Sequence, residues 1–234
     1  MADLLVIAPH PDDAEIHAGA TIAAHVRAGR SVAVVDATRG ELGSRGDSAT
    51  RAQEAAAAAG ILGLSARENL NLPDGFLRAD DLAARERIVA AIRRHRPRAV
   101  VGLSPLARHP DHLALAELLR GAAKAAALHA LPAEGHPAVA GVRLWYCEAE
   151  LPIVPVLLVP ATEADWQCKL AAVRCYGSQL HQPGSTGPAT TISTPEFLAW
   201  IEHRGRAWGY QAGAAYAEAF HGPEAPRIND LTGC

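Results

Sequence analysis

Four cysteines are present in the 234 residues, Cys147, Cys168, Cys175 and Cys234, and no two of them form a C-x-x-C pair or a zinc-ribbon spacing. The dithiol and ribbon readings are thereby excluded, and all four are expected to be reduced thiols, with Cys234 in a frayed tail. Long apolar runs are missing, and the N-terminus enters strand-like sequence without a basic, apolar, small-residue leader pattern. The expectation is a cytoplasmic protein with no membrane partner. Charge of either sign is not in strong excess: the net charge is -3, which gives no electrostatic reason for nucleic acid or an anionic surface. G-x-G-x-x-G is absent from the first turn, where carboxylates that would repel a pyrophosphate stand instead, so a dinucleotide-binding oxidoreductase is excluded. Internal repeats are absent too.

What the chain does have is an ordinary globular balance, 49% hydrophobic and 20% charged, over a length suited to one large domain. Apolar runs at Leu4–Ala8, Ser31–Ala37, Asn69–Leu72 and Ala99–Leu103 read as strands. Between them lie helical patterns at Gly19–Arg27, Thr50–Leu62 and Asp80–His95, and a fourth follows the last strand to about Leu128. Such alternation predicts an α/β fold, a Rossmann-like, doubly wound, mostly parallel sheet in a single domain over residues 1–234. Its ligand-bearing part covers about 1–130. The remainder, about 131–234, completes the crevice, with strands at Arg143–Cys147 and Val156–Val159, helices at Glu163–Tyr176 and Pro195–Gly209, and a Gly/Pro/Thr loop over Pro183–Pro195.

Two turns carry the chemistry. Ala8-Pro9-His10-Pro11-Asp12-Asp13-Ala14-Glu15 ends the first strand, and Arg108-His109-Pro110-Asp111-His112 follows the fourth. In a sheet ordered 3-2-1-4 the first and fourth strands are neighbours at the switch point, and their loops face one crevice. His10, Asp13 and His112 supply three protein ligands, the number expected of a catalytic zinc with an open position. Asp12 is left free as a general base. His109 has the place of an oxyanion or leaving-group donor and Asp111 that of its orienting partner, against the plainer readings of a surface histidine and a helix-capping aspartate. Arg51, Arg45 and Arg108 are candidates for a carboxylate-bearing substrate, since guanidinium forks match carboxylates. His17 reads as surface variation.

The Ala-x-His-Pro-Asp-Asp-x-Glu and His-Pro-Asp-His signatures resemble the LmbE / PIG-L family of zinc-dependent N-acetylglucosaminide deacetylases. The likeness extends to Gly40–Ser44, Arg51 with Glu54, Asn69-Leu70-x-Leu72-Pro73-Asp74, Tyr176-x-Ser178-Gln179 and Gly213-x-x-Tyr216-Ala217-Glu218-x-Phe220. It implies His10, Asp13 and His112 as ligands of one Zn2+ per chain, with Fe2+ or another divalent ion as alternatives, Asp12 as base and His109 as electrostatic or acid partner. Ala107 stands where some relatives have tyrosine, which tilts the resemblance toward the branch that deacetylates N-acetylglucosaminyl-malate in bacillithiol biosynthesis. Another N-acetylglucosaminide or thiol conjugate as substrate is the alternative, and a non-catalytic metal or sugar-binding module is a remoter one. A homo-oligomer, trimer or hexamer, is implied by the resemblance alone.

Overall fold

β-Branched and apolar runs bounded by turns do become the first strands. The computed structural model describes residues 1–184 and 187–226. It contains β1 (Leu4–Ala8), α1 (Asp13–Arg27), β2 (Val32–Thr38), α2 (Ser48–Leu62), β3 (Ala66–Leu72), α3 (Leu82–His95), β4 (Ala99–Leu103) and α4 (Pro110–Ala125). The second part adds β5 (Arg143–Cys147), β6 (Leu157–Ala161), α5 (Glu163–Arg174), α6 (Phe197–Ala212) and β7 (Tyr216–His221). One seven-stranded sheet results, in the order β3-β2-β1-β4-β5-β7-β6. The first five strands pair in parallel, and β7 runs antiparallel between β5 and β6.

Successive strand residues face opposite layers, so the doubly wound arrangement can be read residue by residue. Leu5, Ile7, Val35 and Val100 pack with α3 and α4, while Leu4, Val6, Val34 and Val101 pack with α1, α2 and α5. Helix ends follow local chemistry. Asp47 and Asp81 accept from the N–H groups of Thr50 (2.7 Å) and Ala84 (2.9 Å), and Gly63 closes α2 with a left-handed φ of 67°.

Several boundaries differ from expectation. Helix α1 starts at Asp13 rather than Gly19, because carboxylates at Asp13 and Glu15 suit a first helical turn. Strand β3 starts at Ala66, including Arg67 and Glu68, whose polar side chains suit an edge strand. Strand β7 has no counterpart in the sequence reading: Tyr216-Ala217-Glu218-Ala219-Phe220 is short and carries a glutamate that is buried. That glutamate is a clamp. Glu218 accepts from the backbone N–H groups of Ala20 (3.1 Å) and Thr21 (2.7 Å) in mid-α1, and from Lys169 Nζ (2.6 Å) on α5. Gly19 makes room for it, since a Cβ there would lie 2.9 Å from Lys169 Cγ. The expected tail at Asp230–Cys234 lies outside the described residues.

Helix α6 closes the second part on a stack of Trp166 and Tyr216, whose ring centroids are 4.5 Å apart. A Cβ at Gly205 would come within 2.2 Å of the Trp166 ring. Gly205→Ala is therefore expected to overpack this layer and cost about 1–3 kcal/mol. Differential scanning calorimetry checks it, and an unchanged Tm would show that α6 moves aside freely.

Candidate metal centre

The turn after β1 is pinned before it bears any chemistry. Thr38, at the end of β2, donates both its N–H and its Oγ1–H to the Pro9 carbonyl, each at 3.0 Å. His10 then lies with Nδ1 3.1 Å from Asp13 Oδ2, and the same oxygen is 3.3 Å from His112 Nε2 at the start of α4. Nitrogen donors of His10, His109 and His112 lie within 4.8 Å of one another. Both turns thus meet at the switch point between β1 and β4, as the strand order requires.

Asp13 Oδ2 has the spacing from two imidazole nitrogens that one corner of a zinc-sized tetrahedron would need. Donor atoms about 2.0–2.1 Å from a tetrahedral zinc stand roughly 3.3 Å apart. The 3.1 and 3.3 Å separations have that size. The other side of His10 supports the same assignment, since Nε2 lies 3.1 Å from Asp74 Oδ1 and 3.3 Å from Asp111 Oδ2. A ligating imidazole characteristically gives its second N–H to a carboxylate in this way. His112 Nδ1 is buried with no hydrogen-bond partner. Carboxylates of Asp13, Asp74 and Asp111 face His10 and those of Asp13 and Glu150 face His112, a donor set with enough negative charge for a divalent cation.

Asp12 is buried immediately beside these groups and makes no contact with the imidazoles among the described hydrogen bonds. Its backbone has φ 119° and ψ -33°, a conformation costing an L-residue about 1–3 kcal/mol. Burial pushes its carboxyl up to about 7; the Arg51 charge opposes the rise and the Asp13 charge adds to it. Burial alone would lower His10, yet its hydrogen bonds to Asp111, Asp13 and Asp74 raise it well above an ordinary imidazole. His109 is lowered by burial and by the charges of His10 and His112.

His109 caps α4. Its Nδ1 accepts from the Asp111 N–H at 3.2 Å, which leaves the proton of the neutral ring on Nε2. Two expectations change here. Asp111 does not cap the helix, and its carboxylate does not orient His109: it accepts from the Gly75 (2.7 Å) and Leu77 (3.2 Å) N–H groups and faces His10. His17 is not at the surface but buried, with Nε2 3.7 Å from Asp13 Oδ1.

The three arginines are not gathered into one cradle. Arg51 is buried, with Nη2 on Asp12 Oδ2 (3.1 Å) and the Pro11 carbonyl. Arg45 donates to the carbonyls of Ser178 (3.2 Å) and Pro188 (3.3 Å). Arg108 is exposed next to His109. Residues missed by sequence reasoning are Asp74, whose Pro-Asp-Gly context reads only as a turn, and Glu150, which accepts from the Arg108 and His109 N–H groups and lies 3.5 Å from His112 Nδ1. No local pattern marks Glu150; only the pairing of β4 with β5 brings it here.

Residues 5–123 match the family model described as PIG-L: GlcNAc-PI de-N-acetylase. The chain belongs to the PIG-L family. Among solved structures it resembles the conserved protein TT1542 from Thermus thermophilus, at 37% identity over 99% of each chain with a TM-score of 0.87. It also resembles the N,N'-diacetylchitobiose deacetylase from Pyrococcus horikoshii, at 23% identity over 94% of this chain and 83% of that one, TM-score 0.80. GalB, the 4-carboxy-2-hydroxymuconate hydratase from Pseudomonas putida, is similar at 24% identity over 98% and 99%, TM-score 0.77. A deacetylase and a hydratase thus share the PIG-L chain's fold, and the reaction must be argued from side chains. No described helix is long and apolar enough to cross a membrane.

Proposed function

We propose that this PIG-L family member is a metal-dependent N-deacetylase that hydrolyses the acetamide of an N-acetylated amino sugar. The observation that carries this reading is that His10 Nδ1 and His112 Nε2 lie 3.1 and 3.3 Å from one Asp13 oxygen, with a buried carboxylate, Asp12, in the adjoining residue. Zn2+ held by those three side chains, or Fe2+ or another divalent ion, supplies a Lewis acid for the carbonyl and an acidified water. Asp12 accepts the proton of the attacking water and, once protonated, passes it to the departing sugar nitrogen. His109 offers its Nε2–H to the carbonyl oxygen as negative charge develops there. Asp74 and Asp111 hold His10 in place from behind. The acyl C–N bond breaks, giving acetate and a free amine.

Within this class we propose N-acetylglucosaminyl-malate as the substrate, on the strength of the motif resemblance. Arg108, exposed beside His109, has no side-chain hydrogen bond or ion pair among those described, and its guanidinium is the proposed contact for a malate carboxylate. The reading is tested by incubating metal-loaded protein with N-acetylglucosamine, N-acetylglucosaminyl-malate and N,N'-diacetylchitobiose and measuring acetate and primary amine. Acetate release that a chelator abolishes and Zn2+ restores is expected, fastest with the malate glycoside. Release from none of the three would overturn the deacetylase reading and favour a binding module; equal rates would remove the malate preference. An oligomeric assembly of this chain remains part of the proposal, with light scattering as its measurement.

A further inference from the structure

We infer that Glu150 is a positioning residue for the second ligand turn, setting the ring of His112 for metal and the peptide that carries His109. The inference takes His112 as a ligand, and His109 as the oxyanion donor, of the deacetylase proposed above. Glu150 follows β5, and its carboxylate is divided between two tasks. Oε2 accepts from the N–H groups of Arg108 and His109, the latter at 3.3 Å, and Oε1 lies 3.5 Å from His112 Nδ1.

The chemistry of His112 calls for such a partner. Its Nε2, 3.3 Å from Asp13 Oδ2, can ligate only as a lone pair, so the proton of the neutral ring belongs on Nδ1. Nδ1 is sealed from solvent, and a proton there needs an acceptor supplied by the chain. Glu150 Oε1 is the carboxylate oxygen that faces it, the arrangement that orients a ligating imidazole and raises its basicity. The 3.5 Å separation lies just beyond a good hydrogen bond, and ligation through Nε2 fixes on Nδ1 the proton that closes it. The other oxygen acts on His109. That residue caps α4 by accepting the Asp111 N–H at 3.2 Å, and Glu150 holds the peptide from which its ring is hung.

The second half of the chain preorganises the carboxylate. The Cys147 carbonyl accepts from the Ser104 N–H (2.9 Å), the Glu148 N–H donates to the Ala219 carbonyl on β7 (3.0 Å), and the Ala149 carbonyl accepts from Arg204 Nη1 on α6 (2.6 Å). Trp208 Nε1–H adds a bond to Glu148 Oε2 at 2.7 Å. Glu150 therefore leaves a segment tied to β4, β7 and α6. Other uses fit it less well. Among the described residues it joins neither donor cluster tight enough to share an ion, and both its oxygens face groups of the second turn.

The test measures Zn2+ affinity by competition with a chromogenic chelator, and thermal unfolding, for wild type, Glu150→Ala, Glu150→Gln and Gly63→Ala. Glycine 63 is the control, since alanine at its φ of 67° strains the far end of α2 without touching the centre. Glutamine is the discriminating variant. Its amide oxygen serves the two backbone N–H groups, which turns its NH2 toward His112 Nδ1 and favours the ring proton on Nε2, where metal should bind. The Zn2+ Kd is expected to rise roughly ten- to a hundredfold in both Glu150 variants and to stay unchanged in Gly63→Ala. At saturating Zn2+, kcat on free N-acetylglucosamine is expected to be about tenfold lower in Glu150→Ala than in Glu150→Gln, because only glutamine still holds the His109 peptide. An unchanged Kd in Glu150→Gln would overturn the inference, as would an equal rise in Gly63→Ala or equal kcat in the two Glu150 variants. If Glu150→Ala does not fold, Glu150→Ser takes its place. Should wild type bind Zn2+ and release no acetate, the deacetylase reading fails and the Kd comparison alone decides. Should wild type bind no Zn2+, the metal centre itself fails; crystal structures of wild type and Glu150→Ala then decide the positioning role, which is overturned if residues 108–112 keep their places.

Discussion

Asp12→Asn is expected to bind metal as the wild type does and to release acetate roughly 10²–10⁴-fold more slowly. The carboxamide has nearly the same shape and still offers an oxygen to Arg51 Nη2, so the turn is kept. What is lost is the ability to take a proton. The pH dependence carries the sign. Asp12 must be ionised to act, so kcat/KM rises as pH passes upward through its pKa. Burial sets that value at about 7 in the metal-free centre, and a divalent cation beside Asp13 favours the charged form and draws it lower. The wild-type acidic limb is therefore expected below pH 7 and should vanish in Asp12→Asn. Steady-state kinetics over a pH series, with metal analysis of both proteins, check this. A retained limb of unchanged midpoint would assign the base elsewhere.

His112→Ala is expected to lose both stoichiometric metal and turnover. Asp13 Oδ2 is shared between His10 Nδ1 and His112 Nε2, so removing either imidazole leaves that oxygen facing one of the two rings and any ion with two of the proposed protein donors. Three donors with an open position describe a catalytic zinc site, and two make a much weaker one. The same loss is expected of His10→Ala. Equilibrium dialysis with metal analysis separates metal loss from loss of turnover alone. Wild-type stoichiometry in both variants would sink the assignment and turn attention to the Asp74/Asp111 side of His10.

Legibility in the sequence follows the range of the interaction. Strands β1, β2 and β4 are local runs of apolar residues, and their order follows from crossover handedness, so His10, Asp13, His109 and His112 can be expected in one crevice without coordinates. Asp74 is visible only as a turn residue, because its role depends on where β3 ends relative to β1. Glu150 and Glu218 are legible only through pairing across the second half of the sheet, where short strands with polar residues give weak periodicity. Arg51 illustrates a different limit. Its place near the crevice is inferable, but its contacts with Asp12 and the Pro11 carbonyl go with a close backbone approach at Gly40, where a Cβ would meet Nη1.

The clamp that Glu218 places on α1 bears on how the chain comes off the ribosome. Both ligand turns are synthesised well before β7, yet the helix that carries Asp13 has two mid-helix N–H groups whose carboxylate acceptor, together with its lysine counter-charge, belongs to the last third of the chain. The segment that matches the family model contains every proposed ligand and lacks both of those partners. A chain that ends before β7 thus carries Asp13, a proposed ligand, on a helix that lacks its mid-helix carboxylate clamp.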